Sequence, residues 1–195
     1  MRLLYIAACL MLFTPVKAEV KPFSEFRDWD IDLYTYDSGK PYACLGSASF
    51  KPSNTTLMVG FEKRGDDDLV TVGIWNKAWA SIEQGKEYEL EIEFQRDEWT
   101  LTASGGEIEQ LFFVQVQNIL NEKAWEFIAD FRKSLSMKVS IKGNLIGNFT
   151  LKGSSGMILD AWKCYKGQVQ SYGNDQFSGS PKNSKSKDVT DPFDI

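Results

Sequence analysis

The chain has 195 residues, 22 basic and 27 acidic, no histidine, and a formal net charge of −5. A mildly acidic chain of this size holds one ordinary core and argues against nucleic acid or anionic lipid as its main partner. The lack of histidine excludes Ser-His-Asp and Cys-His catalysis and histidine metal sites.

Residues 1–18 read as a cleavable secretory leader. Arg2 starts it, Leu3 to Phe13 is its apolar stretch, and Val16-Lys17-Ala18 supplies small residues before a cut ahead of Glu19. The apolar run is too short to span a membrane, and no later run is long enough. Cys9 follows Ile6-Ala7-Ala8, a loose lipoprotein pattern, but the apolar run continues past it and little precedes it. The expected location is therefore periplasmic or secreted. Removing Arg2 and Lys17 leaves 20 basic residues against 27 acidic ones, a net charge of −7.

Residues 19–28 read as a polar lead-in, 29–166 as a single β-rich domain, and 167–195 as a disordered polar tail, rich in Ser, Gly, Asn, Asp and Lys. Within the domain, Trp29, Ile31 and Leu33 alternate with polar residues, the period of a half-buried strand. Tyr42, Cys44, Gly46, Ala48 and Phe50 share one face of a second strand. Leu57, Val59 and Phe61 mark a third, and Val70, Val72 and Ile74 a fourth, separated by Arg64-Gly65-Asp66-Asp67-Asp68. The aspartates of that segment suit a turn better than a Ca²⁺ loop, because the ligand spacing of such a loop is missing.

A longer connection from Trp75 to Gly85 leads to the cleanest alternation. Tyr88, Leu90, Ile92 and Phe94 face one way; Glu87, Glu89, Glu91 and Glu93 face the other. Trp99, Leu101 and Ala103 follow, then a turn at Gly105-Gly106, then Phe112, Val114 and Val116. Asn121 is placed to cap a helix with Ala124, Phe127, Ile128, Phe131 and Leu135 on one stripe. Met137, Val139 and Ile141 form the next strand, and Gly143-Asn144 a two-residue turn. Leu145, Gly147, Phe149 and Leu151 share a face of the return strand. A second helix follows, capped by a hydroxyl of Ser154 or Ser155 and stopped by Gly167, with Met157, Ile158, Ala161, Trp162 and Tyr165 on its stripe. Strands at this spacing predict an all-β to α+β domain, an antiparallel sandwich or open barrel with two short helices.

Cys44 and Cys164 are the two cysteines outside the leader. In an oxidising compartment they form one disulfide; the alternative is two buried thiols. The order Trp29, Cys44, Trp79, Gly85, Tyr88, Leu151-Lys152-Gly153-Ser154 and Cys164 resembles a broad group of small uncharacterised secreted proteins of Gram-negative bacteria. That resemblance covers residues 29 to 165. It implies an exported β-rich domain with a Cys44–Cys164 bridge, and carries no catalytic residues to transfer.

No phosphate-loop, dinucleotide, metal or cofactor pattern is present in the sequence. Two features remain as sites for a protein partner. The Glu87, Glu89, Glu91, Glu93 ladder either receives a basic surface or is a solvated sheet face crossed by Lys138 and Lys142. Trp75 and Trp79 are either partner anchors or covers for the core. The expected function is a non-enzymatic, exported binding or accessory module of inhibitor, immunity or host-interaction type. The alternatives are a carboxylate-dependent hydrolase of envelope polymers and a structural subunit of a surface assembly.

Overall fold

A computed structural model describes residues 19–51, 53–108, 111–119 and 122–172. The predicted leader, Pro52 of the second turn, the Asn121 cap and the predicted tail from 173 onward lie outside them, as do the side chains of Phe112, Val114 and Val116.

Ten strands run in chain order: β1 (Glu19–Phe26), β2 (Trp29–Thr35), β3 (Pro41–Phe50), β4 (Thr55–Arg64), β5 (Asp67–Asn76), β6 (Glu87–Glu93), β7 (Glu98–Ile108), β8 (Leu111–Ile119), β9 (Ser136–Ile141) and β10 (Asn144–Thr150). Helix α1 (Glu122–Lys133) separates β8 from β9, and α2 (Ser154–Cys164) follows β10. The strands pair in the order β1-β2-β3-β4-β5-β8-β7-β6-β9-β10, with every described pair antiparallel. The sheet curls around one apolar core to which β2–β7, β9, β10 and both helices contribute. Phe50 of β3 meets Phe149 of β10 edge to face, with ring centroids 5.0 Å apart. The predicted antiparallel barrel-like or sandwich class with two helices is thus the observed one.

Topology sets two ends. The β4–β5 turn and α1 lie at one end, because β8 runs toward the end where β5 starts and the chain must return from there to β9. The connection 77–86 closes the other end, where β5 finishes and β6 begins. α1 buries Ala124, Phe127, Ile128 and Phe131. Phe127 contacts Phe94 and Trp99 edge to face, and the Trp99 indole donates to Asp130 at 2.9 Å. The buried Phe94 and Phe127 rings each contribute about 1.5–3 kcal/mol from area alone, while Trp99 is only partly buried.

The Leu151-Lys152-Gly153-Ser154 segment is a corner joining four elements. The Trp29 indole donates to Lys152 O at 3.2 Å, and Ser154 Oγ donates to Phe131 O at 3.2 Å. Gly153 has φ 91° and is itself the N-cap of α2, with no side-chain cap. The serine hydroxyl predicted as the cap is spent on α1 instead. Cys44, buried in mid-β3, is bridged to Cys164 at the end of α2, with Cα atoms 6.0 Å apart. In the chain-entropy model a 120-residue loop is worth roughly 5 kcal/mol before strain is deducted.

Several local expectations are corrected. The lead-in 19–28 contains β1, held chiefly by ladder bonds to β2 with Phe26 packed against the core, and a bulge between Pro22 and Ser24 interrupts it. Gly105-Gly106 is strand interior, not a turn. The connection 77–86 presses on Gly105, where an added Cβ would fall 2.2 Å from Glu83 O. The β9–β10 turn is Lys142-Gly143, both at positive φ, with Ile141 opposite Asn144. A bulge between Leu145 and Gly147 rotates Leu145 outward, leaving it 62% exposed. Leu135 is 70% exposed because α1 ends at Lys133. Gly167 does not stop the last helix. A π-helical stretch, Tyr165–Gln170, carries the chain on and buries Val169.

Candidate binding cleft

At the α1 end, the β4–β5 hairpin turns through Gly65-Asp66, with Arg64 opposite Asp67. Gly65 has φ 61°, the first central position of a type II′ turn. The predicted five-residue turn is thus shortened, and Asp67 and Asp68 open β5. Asp68 is tied down. It accepts from Tyr165 Oη at 2.5 Å, Lys63 Nζ at 3.0 Å and Gln170 Nε2 at 3.2 Å. Burial, then the bond to Asp68 and that residue's charge, push the Tyr165 hydroxyl well above its ordinary range, so it serves as a neutral donor.

Opposite this turn stands an aromatic wall. Trp162 of α2 meets Trp125 of α1 edge to face, centroids 5.1 Å apart at 87°. Phe61 of β4 lies 4.9 Å from Trp162, and Tyr165 stacks on Trp162 at 5.8 Å. The Lys166 ammonium sits 5.3 Å from the Trp162 ring centroid. Between wall and turn lies a cleft of about 380 Å³. Apolar ring faces on one side and carboxylates on the other make it suited to a group that is both flat or aliphatic and polar at its tip.

Trp75 and Trp79 do not form one patch. Trp75 is on the outward face of β5, half-buried against a small cluster of Ala43, Leu45 and Met58 that Tyr34 and Tyr42 also cover. Tyr36 stacks on Tyr42 at 4.4 Å beside it. Trp79 packs on the main core at the far end, over a shallow hollow of about 230 Å³ shared with Tyr88, Ile141 and Ile146. The glutamate ladder is exposed on the outward face of β6. Glu93 pairs with Lys138 of β9 at 2.9 Å, as a crossing lysine requires. Lys142 makes no ion pair with the ladder among the described residues, and the β7 neighbours of Glu89 and Glu91 are Thr102 and Thr100.

No protein-family model, curated protein or solved structure matches this chain. The cleft therefore rests on its own geometry. Among the described residues no three Asp, Glu or Cys side chains gather as a metal-holding group, and no helix is long and apolar enough to cross a membrane.

Sequence reasoning passed over Trp125, and placed Trp162 and Tyr165 on a helix stripe without a role. The sequence carried a partial signal, a large ring at one edge of the stripe, and the structure leaves Trp162 half-buried while Met157, Ile158 and Ala161 are fully buried. A large ring at the margin of a stripe is where an apolar surface reaches solvent.

Proposed function

We propose that this chain is an exported, non-enzymatic binding module that acts by protein–protein contact in the bacterial envelope or outside the cell, with the Trp125/Trp162 cleft as its contact site. The observation that carries the reading is the cleft itself, a concave aromatic surface with a polar rim, the kind of pocket in which a partner's anchor residue is desolvated. The Cys44–Cys164 bridge supports an oxidising compartment, and the leader pattern of residues 1–18 supports export. The Trp29, Cys44 and Leu151-Lys152-Gly153-Ser154 order supports kinship with the small secreted proteins of Gram-negative bacteria, and here that last segment builds the corner between β2, α1 and α2.

A hydrolase reading finds less support in this cleft. Its carboxylates, Asp66, Asp67 and Asp68, are consecutive residues on one wall, and the facing wall is aromatic. Acid–base cleavage of a glycosidic bond needs two carboxyl groups flanking the bond.

The test is site-specific photo-crosslinking of the full chain in an envelope extract, with the photoreactive residue replacing Trp125 or, as control, Glu98. A protein captured from position 125, competed by unlabelled chain and absent from position 98, is the expected result. Crosslinking from neither position, or turnover of glycan or peptide that one Asp→Asn change abolishes without unfolding, overturns the proposal.

A further inference from the structure

The cleft's chemistry narrows the partner, given the contact role just proposed. We infer that it receives the cationic side chain of an arginine or lysine in a basic segment of the protein partner, and that Lys166 holds that place in the free protein.

An indole ring attracts a cation to its face, and the Trp162 face already holds one: the Lys166 ammonium at 5.3 Å. Lys166 is exposed and forms no ion pair among the described residues, so it is held there by the ring alone and swings away at little cost. The carboxylates complete the site. Asp68 is committed to Tyr165, Lys63 and Gln170. Asp66 and Asp67 are exposed at the rim, and their side chains form no ion pair among the described residues. The cleft lining carries three aspartates and one lysine, a balance that disfavours an acidic segment and attracts a basic one. An arginine suits the space best. Its guanidinium plane stacks on an indole while its fork reaches a carboxylate, and its methylenes lie along the Phe61 side of the wall.

The experiment uses the full chain and a seven-residue alanine-rich peptide with one central arginine, beside a twin in which citrulline replaces the arginine. Citrulline keeps the shape and removes the charge. Binding is followed by tryptophan fluorescence and calorimetry at low and moderate salt. The arginine peptide should bind at least about fivefold more tightly than the citrulline peptide, with the difference shrinking as salt rises. The double change Asp66→Asn with Asp67→Asn should abolish the preference. Lys166→Gln should tighten arginine-peptide binding several-fold by removing the internal competitor. Lys163→Gln should leave it unchanged, since Lys163 is engaged with Asp160 on the same helix. All four positions are surface residues, and circular dichroism confirms the fold of each variant.

Equal binding of the two peptides, or no binding of either, overturns the inference. So does equal tightening by Lys166→Gln and Lys163→Gln, which would mark a diffuse charge effect. If those results come with an intact position-125 crosslink, the contact role stands and only the basic-segment assignment falls. Loss of both removes the cleft altogether.

Discussion

The Tyr165 hydroxyl donates to the Asp68 carboxylate across 2.5 Å, joining residues 97 positions apart. The bond pins the start of the π-helical stretch to the first residues of β5, and so holds the floor of the cleft.

Tyr165→Phe keeps the ring and deletes that bond. A hydrogen bond to a charged group is worth roughly 1.5–3 kcal/mol, and the loss should sit near the lower figure because Asp68 keeps Lys63 and Gln170. Urea denaturation measures it. The same contact predicts a pH effect. The tyrosine's pKa is raised in the fold, so its contribution is intact below the ordinary tyrosine range and declines as pH rises above it. Ultraviolet titration should show Tyr165 ionising only with unfolding, and the Phe variant should have a flatter stability profile in alkali.

Removing the bridge with the pair Cys44→Ala and Cys164→Ala should lower stability by roughly 2–5 kcal/mol. The spectrum of the folded state should be unchanged, because both positions are buried in the same apolar core, where alanine is accommodated. A denaturant midpoint equal to that of the parent would refute the expectation.

Asp32 lies on the outward face of β2, where burial, then the charge of Asp30, raises its pKa. A carboxylate with a raised folded pKa favours the fold while protonated, and that support is lost as pH climbs from the ordinary aspartate range through the raised value. Asp32→Asn should therefore shift the urea midpoint upward at pH 7 and leave it unmoved at pH 3. An equal shift at both pH values would contradict this.

Neutralising Glu89 and Glu91 to Gln should change stability by about 0.5 kcal/mol or less, since both are exposed and face threonines. Gly105→Ala should cost about 1–3 kcal/mol, because the new methyl meets the Glu83 carbonyl oxygen rather than a side chain that could move aside. Thermal melts of the two variants make the comparison direct.

Strands β2 through β6 were legible because a pleated strand with one buried face imposes a period of two, and Leu90 and Ile92 against Glu89 and Glu91 show it plainly. β1 was not, because an edge strand needs only backbone partners, and Val20 and Phe23 are exposed. Gly105 misled because a glycine demanded by close approach looks the same in sequence as one demanded by a turn. The bulge that turns Leu145 out left no mark in composition. The cleft was hidden for another reason. It draws on residues near 61–70, 124–125 and 162–170, three stretches that meet only after the sheet has curled and α1 has crossed back to β9.

The bridge between Cys44 and Cys164 also dictates an order of events. When the chain emerges from its N-terminus, the first cysteine appears with β3 and waits for 120 further residues before its partner follows. By then every strand of the sheet is out, including the distant β5–β8 and β6–β9 pairings that close slowly. Residues 19–195 offer no third thiol for a wrong pairing. Oxidation thus has to wait until the whole sheet has been made, and a chain truncated between β3 and Cys164 would carry Cys44 as an open thiol, a chemical flag of unfinished synthesis.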